Sequence, residues 1–185
     1  MKQVIIIASL LIFCNLRTIS QKNVQLDSLP EISEKDLMHK PFPKFRLSNG
    51  KTELTNEDLL GKVVYINFWF TACIPCMQEM PQINELFDRF NSDTNFILIS
   101  ITYDSIEKIE STKEKFKIKY SNIFPVTHFE FLRLNPTHSY PANIILNKNG
   151  IIEFYDTGGD GIGFLISRYF RRKICSKIES LLNGR

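Results

Sequence analysis

Cysteine is scarce, with four in 185 residues. That is too few to build a scaffold from disulfides, so the fold must rest on an apolar core. Charge of one sign is also lacking. Lys and Arg total 23 against 20 Asp and Glu, whereas a nucleic-acid binder gathers a stronger excess into a basic stripe. No nucleic-acid partner is therefore expected. Histidine is confined to His39, His128 and His138, scattered along the chain, which leaves no clustered ligand set for a metal. The apolar run at residues 4–14 has eleven residues, short of the roughly 20 that cross a bilayer as a helix. No internal repeat is visible. What is present is core material: the chain is 43% hydrophobic, with fifteen phenylalanines. This excludes disorder and low-complexity sequence, and the length suits one domain with extensions.

The first residues have the layout of an export signal. Lys2 supplies the positive start, residues 4–14 the apolar stretch, and Thr18 and Ser20 the small residues before a cleavage point at Gln21. Residues 1–20 are read as a signal peptide, with an uncleaved N-terminal anchor as the alternative, and either places the protein in the periplasm or at the outer face of the cytoplasmic membrane. Without them 21 Lys and Arg face 20 acids. Lipidation at Cys14 is disfavoured because Phe13 stands where a small residue is needed. Outside the cytosol disulfides persist, and Cys73, Cys76 and Cys175 remain. Residues 21–40 read as a polar N-terminal extension and residues 41–185 as the compact domain.

Within that domain, residues 45–47 and 52–54 form a hairpin about Asn49-Gly50. Residues 63–70 are β-branched and aromatic, a central strand apolar on both faces. A helix follows over 74–90, with Met80, Ile83, Leu86, Phe87 and Phe90 on one face. Pro75 suits its first turn, while Pro81 falls inside it and should kink it. Residues 95–101 form a second buried strand, and 104–119 a polar helix with a thin seam at Ile106, Ile109, Phe116 and Ile118. Residues 120–140 read as irregular. Residues 143–147 and 151–155 form a closing hairpin, 158–161 a glycine-rich loop, and 162–182 a last helix with Ile166, Phe170, Ile174 and Ile178 every fourth residue. Strands alternating with helices imply parallel pairing, and the hairpin an antiparallel edge. The fold class is α/β: a central mixed β-sheet flanked by helices, with an N-terminal β-hairpin.

The chemistry lies in Cys73-Ile74-Pro75-Cys76, just after a buried strand and at the start of a helix. Free amide donors and the helix dipole favour an anion there, and a thiolate is one. Cys73, at the mouth, is expected to be the exposed nucleophile. Cys76, one turn in, is the buried resolving sulfur, close enough to close a small ring. A structural clip is a poor alternative, because so short a loop contributes only about 2 kcal/mol. A zinc site would need two further ligands. Two inert buried thiols are the remaining alternative, and the placement favours redox chemistry over all three.

The segment Asn67-Phe68-Trp69-Phe70-Thr71-Ala72-Cys73-Ile74-Pro75-Cys76-Met77-Gln78-Glu79-Met80-Pro81 resembles the active-site segment of thioredoxin-fold proteins. It is most similar to exported thiol–disulfide oxidoreductases of the TlpA/ResA type. Pro41-Phe42-Pro43 and Tyr140-Pro141-Ala142-Asn143 add to the likeness, which covers about residues 40–182. The resemblance implies a thioredoxin fold and a redox-active Cys73–Cys76 disulfide. It implies no cofactor and no metal, protein disulfides as substrates, and a membrane dithiol as electron donor. It also implies a cis peptide before Pro141, leaving the Tyr140 backbone free to pair with substrate. The residues alone read Pro141 as an ordinary proline opening a strand.

By the same resemblance Glu79 tunes the thiols; the residues equally allow a solvated helix glutamate. Trp69 and Tyr140 are the substrate-side candidates, Trp69 more as core. The chain departs from the family at Ala72, where tryptophan is common, and at Ile74-Pro75, where Gly-Pro is common. Asn67 replaces the buried Asp of cytosolic thioredoxins, a change the exported branch shares. Phe70 stands where peroxiredoxin-type peroxidases place threonine, which argues against peroxide chemistry. A non-catalytic thioredoxin-like binding module would have no need of both cysteines and Pro141. Cys175 reads as a buried free thiol, His138 as a solvated loop residue, and the basic last helix as a solvated face.

Overall fold

The computed structural model describes residues 32–157 and 163–184. The expected signal segment, residues 21–31 of the extension and the glycine-rich loop at 158–161 lie outside the described residues. The described chain opens on one helical turn, α1 (Glu34–Leu37), closed by Ser33 and Asp36, whose side chains bond at 2.7 Å. Strands β1 (Arg46–Ser48) and β2 (Glu53–Thr55) pair antiparallel. Their turn is closed by Asn49, whose side-chain oxygen accepts the amides of Lys51 and Thr52 at 3.1 and 2.9 Å. A short 3₁₀ turn (Glu57–Leu59) leads to Gly61, whose φ of +81° suits a residue without a side chain.

The main sheet has the order β5-β4-β3-β6-β7. Its strands are β3 (Val63–Phe68), β4 (Phe96–Thr102), β5 (Ile123–Pro125), β6 (Ala142–Leu146) and β7 (Ile152–Asp156). β3, β4 and β5 run parallel, while β6 pairs antiparallel with both β3 and β7. This is the mixed sheet expected. β3 is buried at every position, as its apolar run requires of a middle strand. It ends at Phe68, two residues before the expected limit, where the chain turns toward the cysteines.

Helix α2 (Ile74–Phe90) follows β3 and α3 (Ile106–Phe116) follows β4. In α2 the buried face carries Met80, Ile83, Leu86 and Phe90, while Pro81 points to solvent. In α3 Ile109 is buried but Ile106 is exposed, so the expected seam is thinner than the sequence implied.

The stretch at 120–140 is not irregular. It holds β5 and α4 (His128–Leu134), capped by Thr127, whose hydroxyl accepts the Glu130 amide at 3.2 Å. Phe131 and Leu134 of α4 are buried on the opposite face of the sheet, with the hairpin.

The last helix is also not uniform. It runs as α5 (Gly163–Tyr169), a π-helical segment (Phe170–Cys175) and α6 (Ser176–Leu182). Apolar residues every fourth position explain the break. Four residues overshoot an α-helical turn by about 40°, so a strict spacing of four drifts off the core. The wider π turn brings Ile174 and Ile178 back, and both are fully buried. Among the described residues no helix is long and apolar enough to cross a membrane.

Candidate active site

After β3 the chain reverses in five residues, and three contacts fix the turn. The Trp69 amide donates to the Ile101 carbonyl at 3.2 Å, and the Cys73 amide to the Phe70 carbonyl at 3.0 Å. The Thr71 amide donates to the Asp104 carboxylate at 2.6 Å. Asp104 is buried and holds the loop that presents Cys73. The sequence hid this role, because Asp104 reads as the first residue of a polar helix.

Cys73 caps α2 and is disulfide-bonded to Cys76, with S–S 2.02 Å and Cα–Cα 5.2 Å. The Cys76 amide donates to the Cys73 sulfur at 3.2 Å. Pro75 has no amide to offer, so Cys76 carries the helix-start donor nearest that sulfur. Cys73 keeps 6% of its surface and Cys76 1%. Cys73 is thus the more open of the two but not freely exposed as expected, since in the disulfide each sulfur shields the other. Ile74 between them is 72% exposed and forms an apolar knob beside the sulfurs.

Glu79 lies one turn beyond Cys76 and is completely buried. It is no solvated helix residue. The Asn143 amide donates to Glu79 Oε2 at 3.1 Å, while Oε1 has no hydrogen-bond partner among the described residues. Burial pushes the carboxyl up to about 7, with the Asn143 bond opposing and Asp156 adding to the rise. Asn143 is itself held by the Tyr65 hydroxyl and by the Asn67 amide at 3.2 Å. Sequence reasoning missed Asn143 and Tyr65. The one signal in the sequence was an asparagine set in an otherwise apolar strand, which the structure then places opposite Asn67.

The Tyr140–Pro141 peptide is cis. Ala142 pairs with Phe68, so the register brings Pro141 level with Trp69 at the head of the turn. The Tyr140 ring stands edge-on to Phe70 at 5.5 Å and stacks on Phe131 at 5.0 Å. Burial pushes its hydroxyl up to about 12. Phe70 also meets Tyr103, at 5.2 Å. Trp69 is fully buried and donates its indole N–H to Ser100 at 2.7 Å. With no surface left to meet a substrate, it belongs to the floor of the site and not to its face. Cys175 is a free, buried thiol whose burial pushes it up.

Five strands in this order, with paired sulfurs at the head of the helix that leaves the middle strand, define a thioredoxin-fold protein. The family model of the AhpC/TSA family matches residues 38–155, and the chain belongs to that family. It is 32% identical over 115 residues to the thioredoxin-like protein YneN of Bacillus subtilis, covering 60% of this chain and 65% of that one. It is 32% identical over 123 residues to the thiol-disulfide oxidoreductase ResA of Bacillus cereus, covering 63% of this chain and 68% of that one. The matches thus span about two thirds of these relatives' own lengths. A thiol:disulfide interchange protein of the thioredoxin family from Chlorobium tepidum superposes with a TM-score of 0.61 at 17% identity, over 77% of this chain and 96% of that one. That likeness is one of fold.

Proposed function

We propose that the protein is a thiol–disulfide oxidoreductase that reduces, or exchanges, disulfides in other proteins through Cys73 and Cys76. The observation that carries this reading is the disulfide across the first turn of α2, with a helix amide directed at the outer sulfur and a buried carboxyl one turn on. In the reducing direction the Cys73 thiolate attacks one sulfur of the substrate disulfide. That bond breaks, a Cys73–substrate disulfide forms, and one substrate thiolate leaves. Cys76 then gives its proton to the Glu79 carboxylate and attacks the Cys73 sulfur. The mixed disulfide breaks, the second substrate thiolate leaves, and the enzyme is left as the disulfide with Glu79 protonated. The substrate gains the two electrons that the enzyme dithiol loses. A carboxyl with a midpoint of about 7 is present in both forms near neutrality, as a group that takes up and returns a proton must be.

On this reading Pro141 and the Tyr140 backbone flank the sulfurs and receive an extended segment of the substrate by strand addition. A dithiol donor returns the enzyme to its reduced form. Lys2, the apolar run at 4–14 and the small residues at 18 and 20 support work outside the cytosol, with the donor a membrane dithiol.

Alkylation of the fully reduced protein tests the reading. At neutral pH Cys73 is expected to react well ahead of a cysteine in a short peptide, and Cys76 far more slowly. Equal rates for Cys73 and the peptide would remove the activated nucleophile and with it the proposal. A redox titration then gives the direction: about −270 mV marks a reductant of the thioredoxin kind, about −120 mV an oxidant.

A further inference from the structure

Beneath α2 a row of polar side chains crosses an otherwise apolar sheet. Ser100 of β4 pairs in register with Asn67 of β3, Asn67 with Asn143 of β6, and Asn143 with Asp156 of β7. Residues directly opposite one another share a face of the sheet, and in the antiparallel pairs their Cβ atoms lie roughly 4.5–5.5 Å apart. All four therefore lie on the face that α2 covers. The first three are buried, while Asp156 is half-buried at the outer strand. Asn143 sits between Asp156 and the Glu79 carboxyl, to which it donates at 3.1 Å. The Tyr169 hydroxyl of α5 donates to Asp156 at 2.7 Å and anchors it there.

We propose that Asp156 is a positioning residue for the dithiol chemistry: its charge, held one strand beyond Asn143, sets how tightly Glu79 keeps its proton. This rests on the reading of Glu79 as the base that serves Cys76. The groups around Glu79 are few. Asn143 of β6 bonds it and is itself held by Tyr65 and Asn67 of β3, while Tyr65, Asp156 of β7 and Tyr169 of α5 are coupled to its charge. Among the described residues Asp156 is the single carboxylate that acts on it. It feels Glu34 from α1 and Lys173 from the π segment. A negative charge one strand beyond Asn143 opposes a second one on the fully buried Glu79 carboxyl. Its removal makes Glu79 a weaker base.

The test is Asp156→Asn in the full chain, which keeps an acceptor for Tyr169, with Asp156→Ser as a second neutral variant should the first fail to fold. The Glu79 carboxyl is titrated directly by carbon NMR in the oxidised protein, and the pH profile of single-turnover exchange with a small disulfide is measured in the reduced one. The carboxyl midpoint is expected to fall by about half a unit to one unit. An unchanged carboxyl midpoint in a folded neutral variant overturns the proposal. If the carboxyl midpoint falls and the exchange profile does not follow, the coupling stands and the assignment of Glu79 as the base for Cys76 fails instead.

Discussion

Replacing Cys76 with serine is expected to stop the reaction half way. The variant keeps the Cys73 sulfur, the helix start and the amide of residue 76 that faces that sulfur, so attack on a substrate disulfide proceeds. Resolution does not, because a serine hydroxyl is not ionised at neutral pH and cannot displace the substrate thiolate. One equivalent of substrate thiol is released per protein, and the other half of the substrate stays attached to Cys73. Incubated with an extract of cell-envelope proteins, Cys76→Ser should yield bands that vanish on reduction. Cys73→Ser should give no such bands and no turnover. Equal trapping by both variants, or by neither, contradicts an ordered two-cysteine exchange. The same experiment separates an enzyme from a binding module, in which the disulfide is inert.

Glu79→Gln should change stability and rate in opposite directions. An ordinary glutamate titrates near 4.5, and burial takes Glu79 to about 7 in the folded protein. The folded state therefore binds the proton more tightly than the unfolded chain. The stability this provides is complete below about 4.5 and is lost as pH rises through about 7. The loss amounts to roughly 3 kcal/mol, at 1.36 kcal/mol per pH unit. Glutamine stays neutral and can still accept from Asn143, so the variant should unfold at nearly the same denaturant concentration at mildly acid and mildly alkaline pH. The wild type should weaken across that window. Exchange should slow by about 10² in the variant near neutrality, the usual scale for loss of a positioned base. A parallel pH dependence of stability in wild type and variant would mean that Glu79 ionises at its ordinary pH.

Most of the architecture is readable from periodicity. The run from Val63 is apolar on both faces because β3 has a sheet neighbour on each side and helices above and below. The stripe of α2 and the hairpin about Asn49-Gly50 are equally plain. What escapes such reading is short or compensated. β5 has three residues and ends on Pro125, too brief to show alternation. The seven residues of α4 span barely two turns, and its one legible mark was Thr127 with Glu130 three residues later, the signature of a helix start. The π segment was legible too, as a spacing of four where an α-helix calls for 3.6.

At the candidate site the two sulfurs are legible because their chemistry is written in one segment. Glu79 is legible only by resemblance, since a helix glutamate is solvated far more often than buried, and the packing of α2 onto β3 and β6 decides. Asn143 and Asp156 lie 64 and 77 positions beyond Glu79. Only the strand register brings them beside it.

The segment that precedes β1 has a consequence for life in a crowded solution. The His39 amide donates to the Ile152 carbonyl at 2.8 Å, the Ile152 amide to Lys40 at 2.9 Å, and the Phe42 amide to Gly150 at 3.0 Å. Farther along, Glu34 accepts from the amide and hydroxyl of Thr157. β7 is the last strand of the sheet, and a bare last strand invites another chain to add to it. Residues 34–42 lie along that border and take the outer hydrogen-bonding positions of Ile152 and Thr157, so this edge of the sheet is covered by the protein's own chain and offers a second copy little to pair with.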